Sequence, residues 1–99
     1  MNEQKQGLDL ELDGEVAHGR YANLAVISHS ATEFVIDFAA VLPGYPKARV
    51  GSRILLSPEN AKRLLSTLQE NVARYESNFG HIELHQHIPF TRIKHHGEA

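Results

Sequence analysis

Ninety-nine residues fit one domain with one modest core, and a chain this short buries a smaller share of its surface than a long one, so self-association is a way to gain burial. Twelve acidic residues against ten basic ones leave a formal net charge of -2, which excludes a bulk electrostatic grip on nucleic acid or membrane and makes any basic site local. The absence of cysteine excludes disulfides, thiolate ligands and cysteine catalysis and fits a reducing compartment.

The opening "MNEQKQGLDLELDGE" is polar and acidic with no apolar h-region, and no run is long enough to cross a bilayer. A soluble cytoplasmic protein is expected. Residues 1–7 hold no apolar residue after Met1 and read as a disordered lead-in. From Leu8 the pattern has period two: Leu8, Leu10 and Leu12 alternate with Asp9, Glu11 and Asp13. That predicts a first strand, ended by Gly14.

"YANLAVISHS" predicts a second strand, from Tyr21 to Ile27, apolar on both faces. "SHSAT" reads as a polar turn, and "EFVIDFAAVL" as a third strand, again apolar on both faces apart from Asp37. "PGYP" is a strong breaker, because its two prolines cannot donate to a ladder and Gly44 permits a tight turn. "KARVGSRILL" then predicts a fourth strand, with Ala48, Val50, Ile54 and Leu56 on one face and Lys47, Arg49, Gly51 and Arg53 on the other.

A long helix follows. Ser57 is a good N-cap, Pro58 suits the first helical position, and Glu59 puts negative charge on the positive end of the macrodipole. Ala61, Leu64, Leu65, Leu68, Val72, Tyr75 and Phe79 recur at steps of three and four on one face, and Gly80 marks the stop. In the tail, residues 81–99, Ile82 and Leu84 alternate with Glu83 and His85 before Pro89. It predicts a short strand or a docking segment.

These elements predict an α+β fold: a single β-β-β-β-α domain over residues 8–80, with a four-stranded, mostly antiparallel sheet followed by one long amphipathic helix whose stripe lies on one sheet face. Strands apolar on both faces need a second cover, which predicts a homodimer.

The chain "YANLAVISHSATEFVIDFAAVLPGYPKARVGSRILLSPENAKRLL" resembles a family of small bacterial proteins catalogued as a domain of unknown function. Its pattern runs Y-x-N-x-A-x-I-x-H-S, E-F-V-x-D-F, P-G-x-P-K-A-x-V-x-S-R and A-K-R-L. Here Tyr21, Asn23, Ala25, Ile27, His29 and Ser30 carry the first block, and Glu33 to Phe38, Pro43 to Arg53 and Ala61 to Leu64 carry the others. The resemblance implies no established activity. Members are often encoded beside the largest RNA polymerase subunits, which implies an accessory role in transcription. The layout is also similar to export chaperones built as sheet-and-helix dimers, a likeness of architecture that does not carry function.

No nucleophile elbow, zinc-protease helix, phosphate loop or dinucleotide fingerprint is present, so no catalytic residue and no cofactor are expected. Ser28, His29, Ser30 and Glu33 read as turn chemistry, and Asp37 as one half of a cross-strand ion pair with Arg49 or Arg53. His81, His85, His87, His95 and His96 read as a solvated tail, with a histidine metal site as the alternative, since zinc wants a closed set of ligands. Tyr45, Lys47, Arg49 and Arg53 are the candidate partner-binding residues. They read as a solvated strand face, as a surface for a protein such as RNA polymerase, or, least favoured because only Tyr45 is at hand for stacking, as a direct nucleic-acid site. The expected function is therefore a non-enzymatic interaction protein of a large machine, with a holdase-like chaperone or a metal-binding protein as alternatives.

Overall fold

The computed structural model describes residues 8–85. In chain order it contains α1 (Gly14–Ala17), β1 (Leu24–His29), β2 (Phe34–Ala40), β3 (Arg49–Leu56) and α2 (Pro58–Phe79). The strands form one antiparallel sheet of order β1-β2-β3. The α+β order of strands followed by a long helix is thus present, with three strands where four were expected. No helix among the described residues is long and apolar enough to cross a membrane. The lead-in over residues 1–7 and the tail beyond residue 85, with His87, His95 and His96, lie outside the described residues.

The missing strand is the one expected over Leu8, Leu10 and Leu12. All three leucines are exposed and the segment joins no ladder. Alternation makes a ribbon amphipathic, but a strand also needs a neighbour for its backbone N–H and C=O groups. A single helical turn, α1, follows instead, closed by the Ala17 N–H donating to the Asp13 carbonyl at 2.8 Å. β1 also starts later than Tyr21. Gly19, at φ 77°, turns the chain first.

Strand β2 sits in the middle and fixes both faces. On one, Ile36 stands between Ile27 and Ile54; on the other, Ala39 stands between Leu24 and Val50. Leu24, Ile36 and Ala39 are the buried hydrophobic residues among those described. Ile27, Phe38 and Ile54 on the first face, and Val50 and Leu55 on the second, remain exposed. Both faces are therefore apolar and open, as the strand patterns predict.

Helix α2 runs 22 residues, about 33 Å at 1.5 Å per residue. The Ser57 hydroxyl accepts from the Asn60 N–H at 3.2 Å, Pro58 starts the helix, and Glu59 pairs with Arg63 one turn on. At the far end the Gly80 N–H donates to the Glu76 carbonyl at 2.9 Å, with φ 103° at Gly80. The expectation that the stripe lies on the sheet fails, because α2 has no buried residue. Only Ser57 separates β3 from α2. Folding a helix back over its own sheet takes a connection of several residues, so α2 leaves β3 with its main sheet contact confined to that strand.

Candidate partner-binding surface

The loop between β2 and β3 begins at Val41, whose ends are held by one side chain. Asn23 Nδ2 donates to the Val41 carbonyl at 3.1 Å, and the Val41 N–H donates to Asn23 Oδ1 at 2.8 Å. The Asn23 backbone N–H also donates to the Ala39 carbonyl at 3.0 Å. Asn23 therefore extends the β1–β2 ladder by one step with its amide, which can both donate and accept.

Beyond Val41 the chain turns sharply. The Tyr45 N–H donates to the Leu42 carbonyl at 3.3 Å, with Pro43 and Gly44 as the central residues and φ 84° at Gly44. Proline followed by a residue of positive φ is the arrangement of a type II turn. Tyr45 is 55% exposed at its end. Lys47 follows, also exposed, before β3 begins at Arg49.

Arg49 and Arg53 do not share a face. Phe38 pairs with Ser52 but Ala39 pairs with Val50, so Gly51 is an extra residue on β3. Such a bulge breaks the two-residue alternation. Arg53 consequently opposes Asp37, while Arg49 opposes Ala40 on the other side. The side chain of Arg20 lies over Gly51, where an added Cβ would stand 3.4 Å from Arg20 Nη1. Arg20 and Gly51 also line a hollow with Val16, Tyr21, Phe38 and Ile54, between the α1 segment and the sheet.

Arg53 holds Asp37 with two bonds, Nε to Oδ1 at 2.7 Å and Nη2 to Oδ2 at 2.8 Å. The cross-strand partner of Asp37 is thus Arg53. That fork is a structural use of the cation, and it leaves Tyr45, Lys47 and Arg49 as the outward-facing part of the surface.

At the other end of the sheet, the Thr32 N–H donates to Ser30 Oγ at 3.2 Å and the Ser30 N–H donates to the Glu33 carbonyl at 2.9 Å. The His29 ring stacks on Phe34 with centroids 5.3 Å apart. This is the turn chemistry expected of "SHSAT". His81 Nδ1 lies 3.4 Å from Glu76 Oε2, and among the described residues no group of three or more His, Cys, Asp or Glu side chains gathers where it could hold a metal.

Residues 1–84 match the model of a family described as Protein of unknown function (DUF3467). No curated protein matches the chain, and no solved structure does.

Proposed function

The chain belongs to this family of unknown function, and we propose that the protein is a non-enzymatic interaction module that works as a homodimer within a large cytoplasmic machine. One observation carries the reading. The apolar stripe of α2, from Leu64 to Phe79, and both faces of the sheet are exposed around an interior of three buried hydrophobic residues among those described. An apolar surface of that extent on so small a chain calls for another chain. The turn at Pro43 and Gly44, with Tyr45, Lys47 and Arg49, supplies a second, polar and rigidly anchored surface for the machine itself. RNA polymerase is the machine that the family resemblance suggests.

Tagged protein purified from its native cytoplasm, with the co-purifying chains identified by mass spectrometry, tests the reading. Recovery of one stoichiometric assembly, polymerase subunits above all, supports it. Recovery of assorted unfolded chains instead would favour a holdase, for which the open apolar sheet is suited, and recovery of neither would defeat the partner proposal.

A further inference from the structure

Within the exposed stripe of α2, Ala61, Leu65, Leu68, Val72, Tyr75 and Phe79 follow one another at steps of four, three, four, three and four. Ala61, Leu68 and Tyr75 recur every seven residues, as do Leu65, Val72 and Phe79, and Leu64 widens the stripe in the first turns. Such a stripe is that of an amphipathic helix with one apolar face to bury, and its seven-residue recurrence also fits the seam of a helix that packs along another helix. Among the described residues the only other helix is the four-residue α1. Because α2 buries no residue against its own sheet, the stripe is left for another chain, and the complementarity of volume and charge selects the α2 of a second copy.

We infer that two copies join through an antiparallel coiled coil of their α2 helices, with the twofold axis between Leu68 and Val72. This rests on the homodimer proposed above and names its interface. Three observations select the antiparallel order. First, volumes match layer by layer: Ala61 falls against Phe79 of the other copy, Leu65 against Tyr75, and Leu68 against Val72, so the smallest side chain meets a ring and no layer pairs two rings. A parallel order would set Phe79 on Phe79 and Ala61 on Ala61.

Second, the flanking positions are complementary. Lys62 of one copy falls beside Glu76 of the other, twice by symmetry, the kind of edge pair that sets orientation in coiled coils. Glu76 Oε2 already accepts from the Ile82 N–H at 2.9 Å and lies near His81, but a carboxylate takes several donors. Third, the residues that meet their own copies at the axis are Gln69 and Asn71. Both are neutral, so the symmetry brings no like charges together.

The exposed area stands at the lower edge of what a specific interface buries. Leu64, Leu65, Leu68, Val72, Tyr75 and Phe79 expose between 38% and 74% of their surface, roughly 550 Å² per copy, so a pair buries about 1,100 Å², at the threshold of a specific interface.

The absence of cysteine makes the test clean. Sedimentation of the full chain should give twice the chain mass, and Leu68→Glu should raise the dissociation constant about 100-fold. Lys62→Glu and Glu76→Lys should each weaken the dimer about five-fold, and the two together should restore it. Mixing Lys62→Cys with Glu76→Cys chains and adding a short thiol cross-linker should join 62 to 76. Linkage of 62 to 62 would overturn the antiparallel order. A dimer indifferent to Leu68→Glu would overturn the α2 interface while leaving the homodimer standing, and a wild-type monomer would defeat both.

Discussion

Arg53 and Asp37 face each other across the β2–β3 register in a two-bond fork of 2.7 and 2.8 Å, and the two partners differ in what surrounds them. The Asp37 side chain is 16% exposed and that of Arg53 64%. Loss of the cation takes a two-bond partner from a carboxylate that water barely reaches, whereas loss of the charge on Asp37 affects a guanidinium that water solvates. Arg53→Ala is expected to cost about 1–3 kcal/mol and Asp37→Asn less. Urea unfolding of both variants measures the asymmetry, and equal losses would show that the pair is governed by its mutual attraction alone.

Ile36 and Leu68 separate the interior of one chain from the proposed seam between two copies. Ile36 is 6% exposed and Leu68 56%. Ile36→Ala should cost about 2–4 kcal/mol, as buried truncations do. For Leu68→Ala, the gap in melting temperature from wild type should widen as protein concentration rises. A gap that stays constant from low to high micromolar concentration would show that Leu68 takes no part in association.

Asn23 anchors the start of the β2–β3 loop through both atoms of its amide. Asn23→Ala should cost about 2 kcal/mol, near 1 for each hydrogen bond lost, and Asn23→Asp, which keeps the acceptor, should cost less. Hydrogen exchange at the Val41 amide gives a local readout, with faster exchange expected in Asn23→Ala.

Gly44 and Gly51 should respond differently to the same methyl group. Gly44 has φ 84° in the turn, so Gly44→Ala is expected to cost about 1 kcal/mol through strain. At Gly51 an added Cβ would meet the flexible Arg20 side chain at 3.4 Å, and Gly51→Ala should be nearly neutral. Thermal melts of the two variants make the comparison.

Tyr45 and Lys47 are the probes of the proposed partner surface. Both are exposed, so Tyr45→Ala and Lys47→Glu should weaken complex formation while leaving the melting temperature nearly unchanged. Arg53 is unsuited to this test because it holds Asp37. Titrations across a salt series distinguish the ligand: a steep loss of affinity for any duplex or single strand would indicate direct nucleic-acid binding instead.

Where local chemistry decides, the sequence is readable. The cap at Ser57, the proline start of α2, the turn at Pro43 and Gly44, and the need of Asp37 for a cross-strand cation all follow from single residues and their neighbours. The exceptions depend on something that alternation does not contain. Leu8, Leu10 and Leu12 have the pattern of a strand but join neither open edge of the sheet, β1 or β3, and alternation alone does not name a pairing partner. Arg49 and Arg53 part company because Gly51 is a bulge, and a glycine inside a strand pattern was the available signal. The amide of Asn23, named only as part of a motif, turns out to hold the loop. The helix stripe is legible as a stripe, but its placement depends on the one-residue joint at Ser57, which keeps α2 from folding over the sheet.

Among the described residues the interior consists of Leu24, Ile36 and Ala39, which offers little against the entropy that a solitary chain regains on unfolding. In the proposed dimer, copy number therefore becomes a structural variable. On that proposal each chain at low abundance spends more of its life open to proteases, and mass action protects it once its kind is plentiful. Expression level would then set the lifetime of the molecule as well as its quantity, and a modest change in synthesis would yield a steeper change in the folded pool.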